Sequence, residues 1–171
     1  MSSTKCYENY PYSFVLGASI LTILIYAIGV YLLYLLGPIW SALYVIYIII
    51  LEIRLLKMSC VHCYYYGKRC AFGQGKLSAL FFKKGNPKKF INKQVKMIDI
   101  IPDFFVTIIP LVVGIYLLFN NFDFVLLGLM VILLVLGFPV TGYIRGSVAC
   151  KYCKQRELGC PAEKMFQKKK K

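Results

Sequence analysis

Acidic residues and histidine are scarce in this sequence. Its 171 residues include seven Asp and Glu and one His, against 21 Lys and Arg, and only 16% of residues are charged. An ordinary soluble domain carries about 25% charged residues, so that class of protein is disfavoured. One histidine is too few for haem held between two histidines or for a His-Glu-x-x-His zinc site. A glycine-rich phosphate loop and a serine nucleophile elbow are also missing.

Apolar residues stand in place of the missing charges. They make up 59% of the chain, with a mean hydropathy of +0.66, against about 45–50% in soluble domains. Four apolar runs are long enough to cross a hydrocarbon layer of about 30 Å at about 1.5 Å per residue; they are residues 13–36, 39–56, 101–119 and 124–144. Short connections at Pro38 and residues 120–123 predict two antiparallel hairpins. We therefore expect an all-α, four-helix integral membrane protein, and no cleavable signal peptide in the polar N-terminal residues.

Basic residues are confined almost entirely to two blocks. Ten Lys and Arg lie between Lys57 and Lys96, and nine lie between Arg145 and Lys171, whereas neither hairpin turn carries one. The positive-inside rule then places the N-terminus, the central segment and the C-terminus in the cytoplasm, in a multi-pass protein of the cell membrane. Because both blocks flank apolar runs, we expect them to meet anionic lipid headgroups and not nucleic acid.

The two halves of the chain, residues 1–98 and 99–171, share an order of features. Each has Pro-x-x-Phe-Val, at Pro11 and at Pro102, then a hairpin, then Cys-x2-Cys-x6-Cys in a loop that begins near residue 57 or 145. From the proline to the first cysteine is 49 positions in one half and 48 in the other. This agreement predicts a duplication, with two parallel repeats related by a pseudo-twofold axis along the membrane normal. Such an axis would bring the two cysteine motifs towards each other.

The six motif cysteines are the candidate metal ligands. They are Cys60, Cys63 and Cys70 in the first motif and Cys150, Cys153 and Cys160 in the second. Stable disulfides are rare in a reducing cytoplasm, whereas Cys-x2-Cys at a helix end suits two thiolates on one zinc ion, at about 2.3 Å each. Six cysteines can satisfy two tetrahedral ions if two thiolates bridge. The spacing resembles half of the fungal binuclear zinc cluster, but in spacing only, so its DNA-binding activity does not transfer.

Other chemistries suit the same cysteines. An iron–sulfur cluster also uses thiolates, and Pro161 follows Cys160 as a proline follows the ferredoxin run, although that run has tighter gaps. Thiol–disulfide redox chemistry is a third reading. Cys6 can supply a seventh thiolate, and His62, between two motif cysteines, can ligate or tune the site.

A few further residues carry weaker signals. Glu52 and Arg145, near the cytoplasmic helix ends, predict an ion pair between the halves, with snorkelling to the headgroups as the alternative. Tyr64–Tyr66 suits an interfacial aromatic belt better than a stacking platform for a ring such as a quinone. Residues 75–84 predict a short amphipathic helix on the inner leaflet, stopped by Gly85, and the lysines at 168–171 predict a solvated basic tail.

The whole pattern resembles small prokaryotic four-helix membrane proteins that carry two such motifs, and this resemblance implies no activity. The matching residues are Cys60, His62, Cys63, Tyr65, Tyr66, Gly67, Lys68, Cys70, Cys150, Lys151, Cys153, Cys160 and Pro161. We expect a non-catalytic protein whose halves are clamped by a thiolate–metal centre, with zinc favoured, and which presents a docking surface to a cytoplasmic protein. The alternative is a redox protein that passes electrons between a membrane carrier and a cytoplasmic partner. Transport is a weaker third hypothesis.

Overall fold

The computed structural model describes residues 6–91, 97–120 and 122–160. In these residues the regular structure is helical, apart from one isolated parallel bridge between Tyr7 and Cys153. The elements in chain order are α1 (Tyr12–Leu36), α2 (Pro38–Met58), a 3-10 turn (Cys60–His62), α3 (Gln74–Phe81), α4 (Pro87–Ile91), α5 (Met97–Asn120), α6 (Phe124–Val135), a π-helical segment (Leu136–Val140), α7 (Thr141–Tyr143), a second π-helical segment (Ile144–Ala149) and α8 (Lys154–Glu157).

Four helical stretches of the described chain are long and apolar enough to cross a membrane. They are Tyr12–Leu36, Pro38–His62, Ile100–Asn120 and Phe124–Ala149, with mean hydropathies of 2.0 to 2.7. No more than 22% of the most apolar window of any stretch is buried inside the protein. Exposed apolar surface of this extent is typical of helices that contact lipid. The prediction of a helical chain with four helices long and apolar enough to span a membrane is confirmed for the described residues.

The fourth span is longer than the sequence predicted. We expected it to end at Ile144, before the charge of Arg145, but helical backbone continues to Ala149. The Cys150 amide donates to the Arg145 carbonyl at 2.9 Å, a five-residue step that closes the last π turn. A long basic side chain at a helix end can reach water while its backbone stays helical, so the charge does not stop the helix.

Helix α3 ends earlier than predicted, and for another reason. Its last turn closes where the Phe82 amide donates to the Ser78 carbonyl at 2.9 Å, and Phe82 itself is extended, with φ −133° and ψ 148°. Gly85 was expected to stop the helix, but it lies beyond this break and has no positive φ. The expectation of a helix in this segment is right, and its predicted C-terminal stop is wrong.

The chain forms two compact units. The cysteine unit comprises the described parts of Met1–Ser19, Ile53–Lys96 and Tyr143–Lys171, and the span unit comprises Ile20–Glu52 with the described parts of Met97–Gly142. Each unit draws on both halves of the sequence. The duplication with a boundary near residue 98 concerns the sequence, and it stays a prediction.

Two clusters of buried side chains form the core of the span unit. In both, residues of the first hairpin pack against residues of the second. One cluster contains Ile25, Leu32, Leu126, Met130 and Leu133, and the other contains Leu33, Tyr44, Ile48 and Val106.

The Tyr44 hydroxyl replaces a backbone hydrogen-bond donor that Pro110 removes from α5. Proline has no amide proton, so the carbonyl of Val106, four residues earlier, lacks its helical donor. The Tyr44 hydroxyl donates to this carbonyl at 2.6 Å. Gly29 makes room for the tyrosine ring, because a Cβ at position 29 would stand 2.5 Å from the Tyr44 hydroxyl. The buried Val106 carbonyl thus has a hydrogen-bond donor from within the protein, as a polar backbone group in an apolar environment requires.

Tyr44→Phe should lower the free energy of unfolding by about 1–3 kcal/mol, because it leaves a buried carbonyl without a partner. The loss should shrink in a Pro110→Ala background, where the new amide at position 110 can bond to Val106. A double-mutant cycle of detergent unfolding measures both, with Tyr34→Phe as the exposed control. Equal losses in the two backgrounds would contradict this account.

Candidate metal centre

Both cysteine motifs lie in the cysteine unit, each at the end of a helical stretch long and apolar enough to span a membrane. The first begins in the 3-10 turn after α2 and turns back at Gly67, whose φ is 75°. The second follows the π-helical end of the fourth span and includes Cys153, which immediately precedes α8. Gly159, with φ 96°, turns the chain before Cys160. The sequence predicted this placement after the helix ends.

Thiols of both motifs border one buried core. Its centre is formed by Tyr10, Tyr65, Ala71 and Ala149, all at most 6% exposed. Packed against this centre are Cys63 and Cys70 from the first motif and Cys153 from the second. The fold therefore brings one side of each motif to the same apolar cluster.

Two hydrogen bonds join the loops directly. The Tyr64 amide donates to Gln155 Oε1 at 2.7 Å, and the Lys154 amide donates to the Tyr65 hydroxyl at 2.9 Å. Gln155 is only 4% exposed, so water competes little for its carbonyl oxygen. Sequence reasoning missed Gln155, which lies between two motif cysteines and carries no spacing signal of its own.

The N-terminal segment, residues 6–11, contacts both motifs. Tyr7 donates its amide to the Tyr152 carbonyl at 2.9 Å and accepts from the Tyr65 hydroxyl at 2.5 Å. The Tyr10 amide donates to the Arg69 carbonyl at 3.0 Å, and the Tyr10 hydroxyl donates to the Ala149 carbonyl at 2.5 Å. From the sequence we singled out only its polarity, Cys6 as a possible ligand and Pro11 of the repeat, although its closely spaced tyrosines were an available signal.

The sulfur atoms of Cys63 and Cys153 lie in surroundings that disfavour an isolated thiolate. Burial raises the pKa of Cys63 to about 11, although the backbone N–H of Tyr65 acts to lower it. Burial likewise raises the pKa of Cys153 to about 12, against a lowering by the backbone N–H of Gln155. A negative charge on the Cys160 sulfur would raise the pKa of both further. These thiols therefore lie within electrostatic range of one another.

The remaining cysteines have neighbours of their own. The Cys70 sulfur accepts a hydrogen bond from the Gly75 amide at 3.2 Å, and the Cys60 thiol lies 3.7 Å from Gln74 Oε1. Cys6 lies beside Glu157, and burial followed by the hydrogen bond to this carboxylate raises the pKa of Cys6.

The described chain does not hold a closed ligand cage. In residues 6–91, 97–120 and 122–160, no three Cys, His, Asp or Glu side chains are grouped as a metal ion requires. The motif cysteines all lie in these ranges as thiols. Metal binding by the six motif cysteines therefore stays a prediction. To bind an ion, at least some of these side chains would have to rotate so that their sulfur atoms come together.

His62 has a buried ring nitrogen in need of a partner. Its Nδ1 is the one buried side-chain nitrogen or oxygen in the described residues without a hydrogen bond. A Cβ at position 85 would collide with this ring, so Gly85 is required for close packing and not as a helix stop. Ligation by His62 stays a prediction.

Glu52 and Arg145, which the sequence predicts to pair, lie in different units. Within the span unit, the Tyr26 hydroxyl donates to Glu52 Oε1 at 2.6 Å. Within the cysteine unit, the Arg145 guanidinium lies 5.4 Å from the centre of the Phe72 ring. The ion pair stays a prediction.

The three consecutive tyrosines have different surroundings. Tyr65 is 2% exposed, so the prediction of an interfacial aromatic belt is wrong for it. Tyr64 lies under the Lys68 ammonium, 4.2 Å from the ring centre, and Tyr66 donates its hydroxyl to the Phe82 carbonyl at 2.8 Å. Each ring is committed to packing within the cysteine unit.

Comparison of the chain with protein-family models, with curated proteins and with solved structures finds no match.

Gln155→Leu should loosen the first cysteine loop, although the substitution lies in the second. It leaves the Tyr64 amide without its side-chain acceptor, at a cost of about 1–3 kcal/mol. Hydrogen exchange measured by mass spectrometry should become faster in residues 60–70. Leu158→Ala, at a half-exposed position of the same loop, should leave that exchange unchanged. Unchanged exchange in Gln155→Leu would contradict the direct link between the loops.

Proposed function

We propose that this is a multi-pass protein of the cell membrane whose cytoplasmic face carries a thiolate–metal centre built from both cysteine motifs. Zinc is the favoured ion, and the centre clamps the two loops into a surface on which a cytoplasmic protein docks. One observation carries the proposal: Cys63 and Cys153, from different motifs, border a single buried core and lie in loops that hydrogen-bond to each other.

The electrostatics of these thiols support a cation. Several buried thiols within electrostatic range of one another cannot all ionise, because each thiolate raises the pKa of the next. A divalent ion removes this conflict by replacing the protons and attracting every thiolate. The backbone N–H groups of Tyr65 and Gln155 act against burial to lower the pKa of Cys63 and of Cys153, and so favour the charged form of these two sulfurs.

The redox alternative rests on the same N–H donors. Hydrogen bonds to sulfur tune the potential of an iron–sulfur cluster, as does burial, and both are present around Cys70 and Cys63. In this alternative the centre, or a pair of reactive thiols, passes electrons between a membrane carrier and a cytoplasmic protein.

Protein purified without oxygen should be colourless and should contain about two zinc ions per chain, because six thiolates complete two tetrahedral sites when two of them bridge. Cys63→Ser and Cys153→Ser should each lower the metal content, which elemental analysis measures. Cys6→Ser is the matched control outside the motifs and should retain the metal.

If the purified protein instead contains iron and acid-labile sulfide and absorbs visible light, the zinc centre is wrong and the iron–sulfur redox alternative is supported. Protein without metal, or equal metal in Cys63→Ser and Cys6→Ser, would refute the metal centre.

The proposed orientation follows from the two basic blocks, which we place against anionic headgroups of the cytoplasmic leaflet. A cysteine introduced by Phe122→Cys, in the turn between the third and fourth spans, should therefore react with a membrane-impermeant maleimide in intact cells. One introduced by Leu158→Cys should react only after the membrane is opened. Both positions are exposed, at 66% and 50%, so the opposite pattern would overturn the orientation.

A further inference from the structure

Helix α3 carries an apolar face that no described residue covers. Leu77, Leu80 and Phe81 are 44%, 76% and 65% exposed, and their spacing places them on one side of a helix. The opposite side, with Gly75 and Ser78, is buried. This is the pattern of a helix that lies in an interface.

The charge around this face has one sign. Between Glu52 and Asp99 the sequence contains no acidic residue. Lys76 on α3 and Lys83 and Lys84 just after it are exposed. Exposed leucine and phenylalanine next to lysine match a bilayer with anionic headgroups, which offers hydrocarbon and phosphate side by side. An acidic protein surface would match the lysines only.

The start of α3 lies against the start of the first span. A Cβ at Gly73 would stand 3.3 Å from Val15 Cγ1 and 3.8 Å from Ser19 Oγ. Val15 and Ser19 belong to the first two turns of α1, which begins at Tyr12. A helix that begins here is at the level where a membrane span enters the headgroups.

The first turn of α3 is also fixed to the first cysteine motif. The Gly75 amide donates to the Cys70 sulfur at 3.2 Å, and the Gly75 carbonyl accepts from the Gly67 amide at 2.9 Å. A Cβ at position 75 would collide with the carbonyls of Tyr65 and Lys68. Because the backbones are in such close contact, α3 cannot shift without moving the donor on Cys70.

We propose that α3 docks on anionic phospholipid through its apolar face and its lysines, and that docking shields and orders Cys70, so that membrane composition regulates the cysteine site. The inference rests on the membrane placement in the proposed function, but it does not require a bound metal. Linkage makes the effect reciprocal, because whatever orders Cys70 also favours docking of α3.

The test compares the full chain in nanodiscs of phosphatidylcholine alone and of phosphatidylcholine with phosphatidylglycerol. Alkylation of each cysteine is timed by mass spectrometry, with and without a chelator. Cys70 should react more slowly with the anionic lipid, by up to about 30-fold, the factor that two lysines at about 1 kcal/mol each would give. Cys6, outside the α3 loop, should react equally in both lipids.

Lys83→Gln combined with Lys84→Gln should abolish the lipid effect on Cys70, whereas Lys151→Gln, also exposed in the cysteine unit, should preserve it. Equal Cys70 rates in the two lipids for the unaltered chain overturn the inference. The chelated samples separate the two proposals, because lipid protection of Cys70 in metal-stripped protein supports this inference even where elemental analysis refutes the metal centre.

A second readout reports the location of α3 directly. Leu80→Trp in a Trp40→Phe background gives the chain one tryptophan, because Trp40 is its only natural one. Brominated lipid should quench its fluorescence, and aqueous acrylamide should not. The reverse pattern overturns lipid docking and assigns the face to a soluble partner.

Discussion

The hydroxyl of Tyr65 is the interaction on which the cysteine unit depends. It donates to the Tyr7 carbonyl and accepts from the Lys154 amide, so one buried atom connects three segments that are distant in the sequence. A polar atom in an apolar core is tolerated only when its bonds are made. Here both are made between segments, and the same ring packs among the thiols. Loop position and core packing are therefore fixed together.

The span unit obeys the same constraint, that buried polar atoms need hydrogen-bond partners. Proline in a membrane helix leaves a carbonyl without its helical donor, and lipid cannot replace that donor. In this chain Pro110 leaves the Val106 carbonyl without its donor, and the Tyr44 hydroxyl donates to it instead. Near Pro139 the helix widens into π geometry, and the Thr141 hydroxyl donates to the Leu136 carbonyl at 2.7 Å. The Tyr44 side chain thus completes the backbone hydrogen bonding that Pro110 interrupts.

The four apolar stretches were predictable because hydrophobic length alone defines them. Their bounds agree within one or two residues, except that the second continues to His62 and the fourth to Ala149. Cysteine spacing predicted two loops after helix ends. The repeat predicted that the two motifs approach each other. It did not predict that Cys63, Cys70 and Cys153 border a buried apolar core, because this depends on contacts with Tyr10 and Ala149. Burial of Tyr65 was missed for the same reason. The local sequence pattern predicts whether a segment is a helix or a loop, whereas contacts between distant segments determine which residues pack together.

The N-terminal segment has a consequence for biosynthesis. Its Tyr10 hydroxyl bonds to Ala149, 139 residues later, so this part of the core cannot close until almost the whole chain has left the ribosome. Contacts of such sequence separation form late, because a long loop must close first. This contact of the cysteine unit can therefore form only after all four apolar stretches have been synthesised, so the first motif is made long before the core beside it is complete.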